Sequence, residues 1–266
     1  MTRANYHTHT ARCRHAQGTD ESFVQSAIAE GYQVLGFSDH TPWRYETEFT
    51  SGIRMHADEL PGYIHSIQSL RRQYADRIRI HLGLEAEYFP RYRDQLLQMM
   101  DMGIEYYIMG QHYLDTDESF PYVGVTTRTD DGVLRYADRV VEGIRTGLFQ
   151  YVAHPDIFMR MRNPEDFTPA CEEASRMICQ ASMEHHMPLE YNLLGLLSEL
   201  EGHGVGYPSR PFWSAVAAMR PRVILGVDAH NPNHLLNHET LRVARAHLET
   251  LGLQILDCLD MDRSPS

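Results

Sequence analysis

The sequence is poor in cysteine, and none of its cysteines forms a C-x-x-C pair. Four are present among 266 residues: Cys13, Cys171, Cys179 and Cys258. A disulfide-stapled secreted scaffold would need many more in a much shorter chain. We therefore expect free thiols in a reducing compartment.

Long hydrophobic runs are also missing. No stretch approaches 18 consecutive apolar residues, and the first residues, "MTRANYHTHT", lack the apolar segment of a secretory signal peptide. The sequence thus predicts a cytoplasmic protein with no membrane partner.

Basic charge is scarce. Lysine and arginine total 24 against 36 acidic residues, which gives a net charge of −12. Proteins that bind nucleic acid usually present a basic face, so we expect no nucleic-acid partner. A small anionic substrate stays possible, because bound metal ions can invert the charge of a single pocket.

Histidine, by contrast, is abundant, with 16 residues dispersed along the chain. They occur in a sequence that alternates β-type runs with amphipathic helical patterns. Predicted strands are "ANYHTH" (4–9), "VLGFSDH" (34–40), "IRIHLGLEAEY" (78–88), "YYIMGQHY" (106–113), "QYVAHPD" (150–156), "PLEYNLL" (188–194) and "RVILGVDAH" (222–230), with a possible short one at 253–257. Predicted helices cover 21–32, 58–77, 91–103, 132–147, 169–186, 210–220 and 241–252, and 115–130 is expected to be a loop.

Seven β/α units of this kind predict an α/β fold with a parallel sheet covered by helices, in a single domain over 1–266. An open doubly wound sheet would give a similar pattern. The strand ends favour a closed barrel, because six of the seven carry histidine or carboxylate there and such ends converge in a barrel. These residues are His7, His9, Asp39, His40, Glu85, His112, His154, Asp228 and His230.

The spacing of these residues suggests metal binding. His7 and His9 are two residues apart, as are Asp228 and His230, so each pair points to one side of its strand. Imidazole and carboxylate ligands suit Zn, Fe and Mn. More than four such ligands without thiolates indicate a catalytic cluster of two or three ions, with Glu85 as a plausible bridge.

Seven motifs occur in the order seen in the PHP (polymerase and histidinol phosphatase) superfamily, over residues 7–232. They are "HTHTARCRHAQG", "GFSDHTP", "GLEAEY", "GQHYL", "AHPD", "EYNLLGL" and "LGVDAHNP". Within the superfamily the sequence most resembles the monofunctional histidinol-phosphatases. The resemblance implies a distorted (β/α)7 TIM-like barrel with three divalent ions of Zn, Fe or Mn. It assigns His7, His9, Glu85 and Asp228 to one ion, Glu85, His112 and His154 to a second, and His15, His40 and His230 to a third.

The same resemblance implies a phosphoric monoester hydrolase. Its substrate would be L-histidinol phosphate, its products L-histidinol and inorganic phosphate in histidine biosynthesis, and its nucleophile a metal-bridging hydroxide. Another small phosphate ester or a nucleotide is an alternative substrate. A proofreading exonuclease module or an inactive metal-storage protein fits less well, because the chain is acidic and retains all nine ligands. No feature of the sequence indicates an oligomeric state.

Further catalytic candidates are less well defined. Asp156 is a possible proton donor to the leaving group, although it could equally cap a loop. Arginines in loops near the strand ends suit phosphate contacts. We prefer Arg160, with Arg162, Arg210 and the first-loop residues Arg12 and Arg14 as further candidates or as solvated charges.

One position departs from the family. Histidinol-phosphatases usually carry an arginine after the sixth strand, in a segment resembling N-T-A-G-L-R. Here the segment reads "NLLGLLS", with Leu197 at the basic position. This difference bears on the substrate rather than on the metal centre.

Overall fold

The computed structural model describes residues 3–261. In this part of the chain, parallel strands form one sheet in chain order. The strands are β1 (Ala4–Asn5), β2 (Val34–His40), β3 (Arg79–Ala86), β4 (Tyr106–Met109), β5 (Tyr151–Val152), β6 (Leu189–Asn192), β7 (Arg222–Gly226) and β8 (Gln254–Leu256). The helices are α1 (Asp20–Ala29), α2 (Leu60–Gln73), α3 (Arg93–Asp101), α4 (Val123–Thr126), α5 (Asp130–Arg145), α6 (Pro169–Glu184), α7 (Leu193–Leu200), α8 (Arg210–Ala217) and α9 (His238–Thr250).

The sheet closes between its first and seventh strands. Just beyond β1 and β7, Thr8 and Ala229 form a parallel bridge. The His9 amide donates to the Ala229 carbonyl at 2.9 Å, and the Ala229 amide donates to the His7 carbonyl at 3.1 Å. The amino-terminal part of β7 pairs instead with β8. The predicted distorted seven-stranded barrel is therefore confirmed, with β8 as an added strand.

The burial of the strands shows that the sheet is covered on both of its faces. Every residue of β2 and of β4 is buried, as expected for parallel strands between a barrel interior and a helical layer. Several helices, among them α1 and α5, begin at side-chain caps. Thr19 accepts from the Ser22 amide at the start of α1, and Thr129 accepts from the Gly132 amide at the start of α5.

Tyrosine fills the lower barrel. A Cβ added at Gly36 would lie 2.2 Å from the Tyr106 hydroxyl, and one at Gly83 would lie 2.4 Å from its ring. Tyr106 therefore occupies space that only glycine leaves free on β2 and β3. Its hydroxyl lies within hydrogen-bonding distance of the carbonyls of Tyr6 (2.9 Å) and Phe37 (3.0 Å). Tyr106 thus fills the interior of the barrel between these strands, and a separate cavity opens at the carboxyl ends of the strands.

Two local predictions are wrong. The predicted strand 188–194 ends at Asn192, because the Asn192 side chain accepts from the Gly195 amide at 2.8 Å and starts α7. The predicted loop 115–130 contains the single turn α4, whose Val123 amide donates to the His112 carbonyl at 2.7 Å. Among the described residues, no helix has the length and apolar character needed to cross a membrane.

Candidate metal centre

The nine predicted ligands lie together at the carboxyl end of the barrel. Seven of them are buried: His7, His9, His40, Glu85, His112, His154 and Asp228. His230 is partly exposed and His15 is exposed, so the cluster reaches from the barrel interior to its mouth.

The first group surrounds the ends of β1 and β7. His7 Nε2 lies 3.5 Å from Glu85 Oε1 and 3.4 Å from Asp228 Oδ1. His9 Nε2 lies 3.4 Å from Glu85 Oε2 and 3.2 Å from Asp228 Oδ1. Both Nε2 atoms are buried without a hydrogen-bond partner. Two atoms that each lie about 2.1 Å from one metal ion are separated by about 3.0–3.4 Å, so this donor set fits an ion.

Glu85 also faces a second group. Its Oε1 lies 2.8 Å from His154 Nε2 and 3.4 Å from His112 Nε2. Its Oε2 lies 3.0 Å from His40 Nδ1, and neither of those two atoms has a hydrogen bond of good geometry. Oε1 thus faces His7, His112 and His154, and Oε2 faces His9 and His40, so this one carboxylate contacts both groups, as a bridging ligand would.

The third group, at the mouth of the barrel, contains His15 and His230, whose ring nitrogens face each other. His15 Nδ1 lies 2.7 Å from the Cys13 carbonyl and His230 Nδ1 lies 3.0 Å from the Asp228 carbonyl. Because carbonyls only accept, both Nδ1 atoms donate, and in the neutral rings both Nε2 atoms carry lone pairs. These two Nε2 atoms face each other at 3.0 Å. A shared cation would turn this repulsive contact into a favourable one, and nitrogens of His9, His40 and His230 also lie within 4.8 Å of one another.

Charge in the cluster is unbalanced. Burial would raise the pKa of Glu85, but His112, His7 and His40 hold it well below its usual range. Burial would lower the pKa of His7, but Glu190, Asp228 and Glu85 raise it to about 10. Within residues 3–261, the ion pairs of Glu85 and Asp228 are to histidines and not to arginine. Buried anions with no permanent cation beside them are suited to metal ions.

Two carboxylates missing from the predictions hold the ligands in place. Glu190 is fully buried on β6, and its oxygens lie 2.9 and 3.1 Å from His7 Nδ1. Glu87 Oε1 lies 3.2 Å from His112 Nδ1. Carboxylates at this position fix the tautomer and orientation of a ligating histidine. The sequence signals were a lone glutamate in the apolar sixth strand and a second glutamate two residues after Glu85.

A cavity of about 490 Å³ opens onto the cluster. Its walls add mostly apolar and aromatic side chains, among them Ile53, Tyr113, Tyr122, Ile157, Met161, Leu194, Val205 and Tyr207. Of the arginines in residues 3–261, Arg160 alone lines it. Arg160 Nη1 donates to the Tyr122 hydroxyl at 3.0 Å, and its guanidinium lies 5.2 Å from the Tyr122 ring centroid.

The other predicted arginines do not line this cavity, and each lies beside an acidic group. Arg162 Nη1 donates to the Thr127 carbonyl at 2.8 Å, and Nη2 pairs with Asp130 at 3.2 Å. The Arg210 side chain is 77% exposed and lies 3.7 Å from Glu199. Arg14 pairs with Glu59, and Arg12 with Asp20.

Asp156 is fully buried but does not line the cavity. Its Oδ2 accepts from the Ser209 amide at 2.6 Å and from Trp213 Nε1 at 3.1 Å. Burial raises its pKa to about 7 even though these donors oppose the shift. These contacts anchor Ser209, the residue that caps the start of α8, while Asp156 Oδ1 is buried without a hydrogen-bond partner. The proton-donor role of Asp156 stays a prediction.

The PHP domain matches residues 5–194. The chain belongs to the PHP domain family. A probable histidinol-phosphatase of Deinococcus radiodurans is 29% identical to this PHP-domain chain over 239 residues, which cover 86% of each protein. The histidinol-phosphatase of Bacillus subtilis is 27% identical over 127 residues, or 45% of this chain and 47% of that protein.

Solved structures agree on the fold. A histidinol phosphate phosphatase of Lactococcus lactis, crystallised with zinc, L-histidinol and phosphate, superposes with a TM-score of 0.73 at 17% identity, covering 97% of this PHP-domain chain and 99% of that one. A histidinol phosphatase described as putative, from Listeria monocytogenes, gives 0.71 at 18% identity over 90% and 99% of the two chains. The family resemblance of the motifs and the barrel fold are confirmed; the single domain over 1–266 stays a prediction.

Proposed function

We propose that this PHP-domain protein is a metal-dependent phosphomonoesterase that hydrolyses L-histidinol phosphate to L-histidinol and phosphate. The observation that carries the proposal is the set of donor atoms around Glu85, unpartnered or facing one another, at the base of a cavity that also holds Arg160. Relatives named histidinol-phosphatase, one of them matched over 86% of its length, support the reaction class and the substrate.

The residues fit three divalent ions of Zn, Fe or Mn. His7, His9, Glu85 and Asp228 would hold the first; Glu85, His112 and His154 the second; His15, His40 and His230 the third. When bound, such ions lower the pKa of a coordinated water and neutralise charge on the phosphoryl group. Glu85 would be the shared carboxylate, since its oxygens lie within 3.5 Å of imidazoles assigned to the first ion and of imidazoles assigned to the second.

The protein's own side chains supply orientation. Glu190 accepts the Nδ1 proton of His7 and Glu87 accepts that of His112, which leaves each Nε2 lone pair directed into the cluster. Arg160 offers a planar fork to two phosphate oxygens, and the Tyr122 hydroxyl fixes its direction. The apolar and aromatic side chains of the cavity wall would limit the access of bulk water to the site.

One observation favours a second candidate substrate. Helix α7 borders the cavity through Leu194, Gly195 and Ser198 but carries no basic residue, because Leu197 stands at the family's arginine position. Another small phosphate ester is therefore the alternative. In both cases the partners are a small phosphorylated substrate and inorganic phosphate, with no nucleic acid.

The test measures phosphate release from L-histidinol phosphate and from a panel of small phosphate esters, with protein reconstituted in turn with Zn, Fe or Mn. We expect the highest kcat/KM for L-histidinol phosphate. Near-zero turnover of that ester beside rapid turnover of another would contradict the substrate. Active protein without transition metal in elemental analysis would contradict the whole proposal.

Glu85→Ala tests the shared carboxylate. We expect loss of metal and of nearly all activity, because the change removes ligands from two groups at once. Glu173→Ala is the matched control, since the Glu173 side chain on α6 is 45% exposed and, within residues 3–261, its only ion pair is with the neighbouring Arg176. Full activity in Glu85→Ala would contradict the bridging role.

A further inference from the structure

An arginine is buried in the segment that forms one wall of the cavity. Residues 41–59 connect β2 to α2 without a helix or strand, and their Gly52 and Ile53 line the cavity. The next residue, Arg54, has a side chain only 1% exposed. A buried guanidinium is costly unless its charge and all its donors find partners.

Arg54 finds these partners in three different segments. Its Nη2 and Nη1 donate to the two oxygens of Glu87, at 3.0 and 3.2 Å, and Nη1 also donates to the Thr41 carbonyl at 3.0 Å. Its Nε donates to Asp117 Oδ2 at 3.2 Å and lies 3.3 Å from Ser51 Oγ. One planar group thus joins the wall segment to the residues after β3 and to those after β4.

The contacts of Arg54 with Glu87, called the Glu87 arm, connect Arg54 to the candidate metal centre. Glu87 Oε2 also accepts from Trp43 Nε1 at 3.0 Å, so the carboxylate is fixed from two sides. Its Oε1 then accepts from His112 Nδ1 at 3.2 Å. This bond places the His112 Nε2 lone pair toward Glu85, whose Oε1 is 3.4 Å away.

The contact of Arg54 with Asp117, called the Asp117 arm, connects Arg54 to the cavity wall. Asp117 accepts from the Tyr45 hydroxyl at 2.5 Å and from the Ser51 hydroxyl at 2.6 Å. Ser51 directly precedes Gly52 and Ile53. The position of these two wall residues therefore depends on a carboxylate that Arg54 holds.

We propose that Arg54 is a positioning residue that sets two parts of the site together: His112 through Glu87, and the wall at Gly52 and Ile53 through Asp117. The inference rests on the proposed metal-binding role of His112. Lysine cannot replace Arg54, because a single ammonium has no planar fork that reaches both carboxylates and the Thr41 carbonyl.

The two arms can be tested separately with substitutions that keep side-chain shape. Glu87→Gln should weaken the binding of one ion by about 10–100-fold, with little change in KM at saturating metal. Asp117→Asn should keep wild-type metal affinity and raise KM at least about tenfold. Arg54→Lys should show both effects. Arg44→Lys, an exposed arginine of the same segment, should show neither.

Metal affinity is measured without substrate, by competition with a chromophoric chelator, and KM by phosphate release. Circular dichroism checks folding; should Arg54→Lys fail to fold, the two single-arm variants carry the test. Wild-type metal affinity in Glu87→Gln, or an unchanged KM in Asp117→Asn, would overturn the inference. A wild-type protein that binds no metal would overturn the proposed function instead, so the two failures are distinguishable.

Discussion

Gly110 follows β4 directly and leaves the space that the Glu85 carboxylate occupies. A Cβ added at Gly110 would lie 1.9 Å from Glu85 Oε1 and 2.5 Å from its Cδ. Real Cβ atoms essentially never approach another atom within 3.0 Å. In Gly110→Ala, the oxygen must therefore retreat from 1.9 Å to at least 3.0 Å, a movement of about 1.1 Å.

A movement of this size is large for a metal site, where ligand distances hold within about 0.2 Å. Glu85 is a proposed ligand of two of the three ions, so we expect the affinity for at least one ion to fall by about 10–100-fold. That corresponds to about 1.4–2.8 kcal/mol of binding free energy. The added methyl should also cost about 1–3 kcal/mol of folding stability through overpacking.

The assay combines metal content after dialysis against a metal buffer, phosphate release, and thermal melting with and without added metal. Gly62→Ala, on α2, is the matched control, because a Cβ there meets no atom within 4 Å. It should match wild type in metal content and be equal or greater in stability. A Gly110→Ala protein with full metal content and wild-type kcat/KM would refute the reasoning.

Further substitutions test other parts of the site and the barrel. Glu190→Gln should lower metal affinity about 10–100-fold by removing the charge behind His7, and tight binding in this variant would argue against that role. Arg160→Lys should retain the metals but lower kcat/KM by about 10–100-fold, since the fork contributes charged hydrogen bonds; unchanged kinetics would exclude a phosphate contact. Tyr106→Phe should lower the free energy of unfolding in urea by about 1–3 kcal/mol, because the buried carbonyls of Tyr6 and Phe37 lose a hydrogen-bond donor, while metal affinity should not change. Loss of metal in this variant would show that Tyr106 also supports the metal site. Chelation should lower the melting temperature of wild type by several degrees and restored metal should recover it, since binding at 100 times Kd adds about 2.7 kcal/mol; equal melting curves would contradict metal binding.

The positions of the candidate ligands could be predicted because one rule governs them. Parallel strands of a closed barrel end on one face, so polar side chains at those ends must meet there. His7 and His9 follow this rule although β1 itself stops at Asn5, since the chain continues into the Thr8–Ala229 bridge. His15 lies in a loop, and only the family resemblance placed it in the cluster.

Other parts of the site depend on distances that a linear pattern does not contain. The five loop arginines are alike in sequence, yet Asp20, Glu59, Asp130 and Glu199 pair with four of them and leave Arg160 at the cavity. Arg54 was not predicted either, because its partners come from segments 33 and 63 residues away along the chain. Likewise, the start of α7 depends on a single side-chain cap rather than on hydrophobic periodicity.

The join between β1 and β7 has a mechanical consequence. His7 and His9 lie on one side of this seam, Asp228 and His230 on the other, and the backbone pairing across it is short. Ions bound by residues from both sides would cross-link the first strand of the barrel to the seventh. Without these ions, the backbone hydrogen bonds across the join between β1 and β7 should open more often. Amide hydrogen exchange at Ala229 and His9 should therefore speed up after chelation far more than exchange in β2 and β3. Local unfolding of the barrel would then begin at the proposed active site, and ions bound there for catalysis would also stabilise the fold.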